Sequence, residues 1–200
     1  FFDLLRHAPD PFDPDGRGQD LFFLSNGHIS PVYYSILARS GYFPTNELST
    51  FREIDSRLQG HPTTHEGLPG VRIASGSLGQ GMSVAIGAAL SKKLLKDEHL
   101  IYSLHGDGEL QEGQVWEAAM FAAAHKVDNL IATIDANGQQ IDGATDDVMP
   151  LGDIGSKFAS FGWKVMEIEK GNDMRSVHSG LKEAASYTGN GKPVCVVMHT

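Results

Sequence analysis

Two short apolar runs with the same kind of ending constrain this chain more than any other feature. Residues 100–104 (LIYSL) run into His105, Gly106, Asp107 and Gly108, and residues 130–134 (LIATI) run into Asp135, Ala136, Asn137 and Gly138. Residues 113–124 between them have helical composition. A strand, a helix and a strand at this spacing make a βαβ unit, whose parallel strands release both polar turns at one carboxyl edge. Open α/β sheets bind their ligands at that edge.

The residue types say what could bind there. Magnesium prefers about six oxygens in an octahedron and shares them between protein and phosphate. Asp107, the amide oxygen of Asn137 and one backbone carbonyl would supply the protein's part. Gly106 and Gly108 let the backbone turn sharply beside an anion, and peptide N–H groups at the following helix start face it. Gly-Asp-Gly and Asn-Gly are each ordinary turn formers. Their pairing across a βαβ unit is what reads as a magnesium diphosphate site.

Composition limits the alternatives. Two hundred residues, 40% hydrophobic and 20% charged, fit one globular domain with a sizeable core. Apolar stretches break well before the ~18 residues of a membrane-spanning helix. A net charge of −9 disfavours nucleic acid and anionic membranes, so an anionic ligand has to be held locally. Cys195, the only cysteine, sits in the apolar run 193–198 (PVCVVM) and reads as a buried, unreactive thiol, in keeping with a reducing cytoplasm. The chain opens at Phe1 without a methionine, and the expectation is one domain over residues 1–200, truncated at both ends.

Along the chain, residues 1–7 read as a helix end and 8–19 as a Pro/Asp/Gly loop. Residues 21–24 form a strand candidate. A helix starts at Pro31, with Val32, Ile36 and Leu37 apolar, and ends at Gly41; Thr45 is positioned to cap another through Leu48 and Phe51. Residues 59–77 are too irregular for regular structure, and loops that long are usually functional. Residues 79–95 read as a helix with Met82, Ile86, Ala89 and Leu90 on one side. Its small residues Gly79, Ser83 and Gly87 would let another backbone pack closely, in a soluble core or dimer. Helix 154–161, strand 163–168, helix 173–187 and strand 193–199 complete an alternation that predicts an α/β fold, a parallel doubly wound sheet flanked by helices.

Five segments then carry a resemblance: Leu24 to His28 (LSNGH), Gly60-His61-Pro62, Gly76 to Gly81 (GSLGQG), Gly106 to Gly113 (GDGELQEG), and Asp142-Gly143 after Asn137. In order and spacing they resemble the diphosphate-binding half of transketolases, and the likeness spans nearly the whole chain from Phe22 onward. The resemblance implies the thiamine diphosphate-binding fold, with thiamine diphosphate as cofactor and Mg2+, or Ca2+ or Mn2+, as its metal. Asp107 and Asn137 match the side-chain metal ligands and the Gln139 carbonyl the backbone ligand. Gly106 flanks the site, and Gly108 matches a main-chain donor to the diphosphate. His28 matches a histidine that reaches the diphosphate. His61 matches one that hydrogen-bonds sugar hydroxyls near the reactive carbon, where an imidazole can donate or accept near neutral pH.

Gly76 and Leu78 match a loop that contacts the cofactor rings, with Ile141 packing from the other side. Glu112, together with Glu117, matches a carboxylate network at a subunit interface that leads towards the cofactor's activating glutamate; protons shared there would raise at least one pKa. Ser77 departs from the proline common in the family, and His65 has no secure counterpart.

The implied reaction is transfer of a two-carbon ketol unit from a ketose phosphate to an aldose phosphate. The activating glutamate belongs to a pyrimidine-binding domain or subunit that these residues do not contain, which implies such a partner in a homo-oligomer or heterotetramer. A 1-deoxyxylulose-5-phosphate synthase, or an E1-type component of a thiamine-dependent dehydrogenase, shares the metal motif, but the GHP and SLGQG segments favour transketolase. A non-catalytic assembly subunit is a further alternative. A nicotinamide-binding domain is disfavoured, because residues 76–81 lack the G-x-G-x-x-G order and no strand clearly precedes them.

Overall fold

The structure, a computed structural model, describes residues 1–200. Five parallel strands form the sheet: β1 (Leu21–Leu24), β2 (Ile101–Gly106), β3 (Leu130–Ala136), β6 (Lys164–Ile168) and β7 (Val194–His199), in the order β1-β2-β3-β7-β6. Helices α1 (Ser30–Arg39), α2 (Gly81–Leu94), α3 (Gly113–Ala124), α4 (Thr145–Val148), α5 (Ile154–Ser160) and α6 (Met174–Ser186) connect them, and the two-residue strands β4 (Gln139–Gln140) and β5 (Gly143–Ala144) pair as a small hairpin.

The two-residue period of the strands sorts the core into two faces. Ile101, Leu130, Ala132, Ile134, Cys195 and Val197 point towards α2, α3 and α5, where Met82, Val115 and Phe158 meet them. Tyr102, Ile131, Val194 and Val196 point the other way, towards α6. Leu24 packs with Tyr33, Tyr34 and Leu37 of α1 on that second side. Strand order advances from β1 to β3, jumps to β6 and returns to β7. Right-handed crossovers put the returning helix α6 on the face opposite α3. The direction therefore reverses at the edge strand β6, and the returning β7 lies beside β3, whose carboxyl end leads into Asn137. As expected, Cys195 is fully buried, and burial pushes its thiol pKa up.

Several local expectations are corrected. Residues 2–4 form a turn and 5–7 are irregular, with Arg6 held on Asp20: its backbone N–H donates to Asp20 Oδ2 at 2.8 Å and its guanidinium to Oδ1 at 2.9 Å. On α1 Leu37 is buried as expected, but so are Ser30, Tyr33, Tyr34 and Ala38, while Val32 is exposed. The two tyrosines bury their rings and satisfy their hydroxyls on the carbonyls of Gly70 and Gln59, at 2.8 and 2.9 Å. Thr45 caps no helix; it opens a 3-10 turn, Thr45–Thr50, behind Pro44. Gly79 lies ahead of α2 with φ +86° and packs closely against Glu112 and Gln114, whereas nothing in this chain packs onto Gly87, so within the chain the close approach expected on that stripe is made at Gly79 and not at Gly87.

A buried ion pair ties α2 to the strand that follows it. The Lys92 ammonium lies 2.6 Å from Asp97 Oδ2 and donates to the Gly16 carbonyl at 3.0 Å, while His99 Nδ1 sits 2.6 Å from Asp97 Oδ1. Burial alone would raise the Asp97 pKa, but hydrogen bonds from Lys92 and His99 outweigh it and hold the carboxyl well below its usual range. A depressed folded-state value contributes stability that is complete above the unfolded value of 3.8 and is lost as pH falls below it. Asp97→Asn should therefore flatten the acid limb. The drop in urea midpoint between about pH 6 and about pH 3 should be smaller in the variant than in the native chain.

Candidate functional site

Parallel pairing of β2 with β3 sets Gly106 opposite Asp135, so the turns carrying Asp107 and Asn137 leave the sheet side by side. Asp107 is buried at 3% exposure. Its Oδ2 accepts from the Gly138 N–H at 2.7 Å, and its Oδ1 accepts from the Gly108 N–H at 2.8 Å. The carboxylate thus touches the residue directly after Asn137. The Asn137 Oδ1 accepts from the Gln139 N–H at 2.8 Å, closing a short turn that leads into β4. Gly108 lies against that hairpin: a Cβ there would stand 3.3 Å from the Gln139 carbonyl oxygen and 2.6 Å from Gln140 Cβ. Asp107, Asn137 and Gln139 are therefore brought together, with Gly106 and Gly108 beside them.

Electrostatics at this corner suit a cation. Burial, followed by hydrogen bonding that works against it and by the nearby charge of Asp135, leaves the Asp107 pKa raised. A positive ion beside the carboxylate would reverse that penalty. Carboxylate, amide and carbonyl oxygens form a donor set for a hard divalent metal rather than a soft one. Three buried polar atoms around the same edge, Asn26 Oδ1, Ser75 Oγ and Gln140 Nε2, have no hydrogen-bond partner in the chain. Buried polar groups are normally paired, and a polar ligand would supply what these lack.

The loop after β1 joins this edge from one side. Ser25, Asn26 and Gly27 are buried, and His28 is exposed on the 3-10 turn Gly27–Ile29. Gly27 abuts the segment ahead of α2 so tightly that a Cβ would lie 2.6 Å from Ser75 Oγ and 2.8 Å from Gly76 N. Gly76, at φ +128°, lies against the His61 ring, whose Cδ2 would stand 3.0 Å from an added Cβ. The Ser75 N–H donates to the Pro62 carbonyl at 3.0 Å, fixing the GHP segment to the same loop. His61 is exposed and lines a wholly polar cleft of about 470 Å³ with Arg52, Gln59, Gly60, Thr63 and Glu66. Leu78 is half-buried, and its carbonyl accepts from Gln114 Nε2 at 3.0 Å.

Other candidates stand apart within this chain. Glu112 and Glu117 are both exposed and share no hydrogen bond, although Glu112 lies against Gly79. Ile141 is 97% exposed at the turn of the β4–β5 hairpin. His65 is exposed on its own 3-10 turn, Thr64–Glu66.

Sequence reasoning passed over Glu109. It is 2% exposed and sits beneath the loops of the site, next to the fully buried His105. Only its place two residues after Asp107 could have drawn attention to it.

Comparisons with known proteins identify the family. The family described as transketolase, thiamine diphosphate binding domain, matches residues 1–200. An apulose-4-phosphate transketolase subunit of Actinobacillus succinogenes is 42% identical over 200 residues, covering 100% of this chain and 70% of its own length. A 6-deoxy-6-sulfo-D-fructose transketolase subunit of a Clostridium species is 39% identical, covering 96% of this chain and 68% of its own. The transketolase of Leishmania mexicana superposes with a TM-score of 0.91 at 32% identity, covering 100% of this chain and 31% of that one. The sequence spans about two thirds of the named subunits and under a third of that transketolase. The chain belongs to the transketolase family and forms its thiamine diphosphate-binding domain.

Proposed function

We propose that this domain grips thiamine diphosphate through a divalent cation, Mg2+ in the first place, for ketol transfer between sugar phosphates. Asp107, Asn137 and the Gln139 carbonyl would hold the ion. The observation that carries the reading is the contact of the buried Asp107 carboxylate with the Gly138 backbone, inside the turn that bears the other two ligands. The cofactor, when bound, supplies the reactive carbon that takes up and hands on a two-carbon unit. The Gly108 N–H, which here donates to Asp107 Oδ1, would be a main-chain donor to the diphosphate. His28 faces the same anion. His61, beside Gly76 and in a polar cleft, meets the hydroxyls of the sugar and can donate or accept as their charge changes.

Gly76 and Leu78 line the ring end, with Ile141 closing over it from the hairpin. The exposure of Ile141, Glu112 and Glu117 suits surfaces that are covered when cofactor and partner are in place. Relatives named as single subunits of a transketolase support a pyrimidine-binding partner, whether fused or separate, within a homo-oligomer or heterotetramer. No helix is long and apolar enough to cross a membrane. A cytoplasmic location is part of the proposal, in keeping with the one free, buried thiol of Cys195.

Calorimetric titration of the full-length protein, assembled with its pyrimidine-binding half, tests the reading. Thiamine diphosphate should bind with magnesium present and fail to bind measurably after chelation. Binding indifferent to the metal would count decisively against it. A donor and acceptor sugar phosphate assay on the same assembly would separate ketol transfer from the decarboxylating reactions of related thiamine enzymes.

A further inference from the structure

Glu109 is the one side chain on which three loops of the site converge. Its Oε1 accepts from the Gly79 N–H at 2.8 Å and from the Ser25 hydroxyl. Its Oε2 accepts from the Gly106 N–H at 3.3 Å and lies 3.6 Å from His105 Nδ1. Ser25 passes the connection on, since its Oγ accepts from the Gly81 N–H at 3.1 Å. Each anchored residue is a near neighbour of a cofactor-facing one. Ser25 precedes His28 by three positions, Gly79 follows Leu78, and Gly106 precedes Asp107.

The packing leaves these loops little slack. A Cβ on Gly81 would overlap both the backbone and the side chain of Ser25, and one on Gly79 would stand 2.8 Å from Glu112 Cβ. An ionised carboxylate accepts at both oxygens, so it can take all these donors at once. Glutamine has the same shape but offers one acceptor; its amide would turn N–H against N–H at either Gly106 or Gly79.

We propose that Glu109 is a positioning residue that sets the mutual spacing of the His28, Leu78 and Asp107 loops, and so governs how tightly the cofactor is held without touching it. The inference rests on the thiamine diphosphate reading above.

The test uses the full-length protein with its pyrimidine-binding half. Thiamine diphosphate affinity is measured by calorimetry at saturating magnesium for Glu109→Gln, Ser25→Ala and the double variant, with Asp107→Ala alongside. Glu109→Gln should raise the cofactor Kd about tenfold, as expected for one charge-assisted hydrogen bond left unmade. The sugar donor KM at saturating cofactor should stay within about twofold. Because Ser25 acts through Glu109, the double variant should be weaker than native by much less than the product of the single effects.

If Glu109→Gln and Ser25→Ala lower the thermal midpoint of the cofactor-free protein but leave Kd within about twofold of native, the residue only stabilises the fold and the proposal is overturned. Should Glu109→Gln fail to fold, Ser25→Ala removes only the Ser25 hydroxyl, with its bond to Glu109 and the one it accepts from Gly81, and a Kd within twofold of native in that variant alone overturns it. Asp107→Ala separates the two levels. If it loses metal-dependent binding while the Glu109 and Ser25 variants bind normally, only the positioning role falls. If it binds as the native protein does, the cofactor reading falls first.

Discussion

Asp107→Ala is expected to weaken thiamine diphosphate binding in the presence of magnesium at least about 100-fold, since even outer partners of a metal site typically cost 10- to 100-fold and Asp107 is proposed as a direct ligand. The fold should not suffer in proportion. Burial raises the Asp107 pKa, so in the cofactor-free protein its ionised form at neutral pH is a cost to the folded state. Alanine removes that cost along with the hydrogen bonds from Gly108 and Gly138, two opposing changes. The thermal midpoint without cofactor should therefore move little, while the rise in midpoint on adding cofactor and magnesium, which follows from linkage, should vanish. A variant that lost its cofactor-free stability and kept the ligand-induced rise would refute the assignment. The pattern expected is that of a functional group kept at the expense of stability.

The strand and helix pattern was legible because it rests on local periodicity. The strand ends at 104–106 and 134–136, the whole of α3 and the alternation after residue 154 agree with the reading from spacing alone, and parallel pairing of β2 with β3 brought Asp107 and Asn137 to one edge. What failed depended on partners distant in sequence. The Arg6–Asp20 contact replaces a helical turn at the start of the chain, and the buried face of α1 is aromatic because distant carbonyls receive its hydroxyls.

Glu109 escaped for the same reason. Glu109 and Glu112 are chemically alike and three residues apart, yet the 3-10 turn Gly108–Gln111 folds the first under the loops and leaves the second exposed. Nothing in their immediate neighbours encodes that difference. It arises from Ser25 and Gly79, which lie 84 and 30 residues from Glu109.

The contact between the first two loops can be tested at a single atom. Gly27→Ala should weaken cofactor binding about 30-fold, the equivalent of roughly 2 kcal/mol and within the range for overpacking a close-packed contact. A Cβ at residue 27 would stand 2.7 Å from the Ser75 carbonyl carbon and 2.8 Å from the Gly76 nitrogen, as well as 2.6 Å from Ser75 Oγ. Two of those atoms are backbone, and neither can rotate away. Ser75 is tied to Pro62, and Gly76 lies against the His61 ring, so relief has to move the GHP segment together with the Leu78 loop. The sugar donor KM should rise in the same variant, because His61 moves with the loop; that sets it apart from Glu109→Gln, for which only cofactor affinity should change. Adding Ser75→Ala removes one of the three close contacts and leaves both backbone ones, so the double variant should recover little of the lost affinity. Full recovery would mean that the hydroxyl alone was obstructed and that the two loops are not locked backbone to backbone.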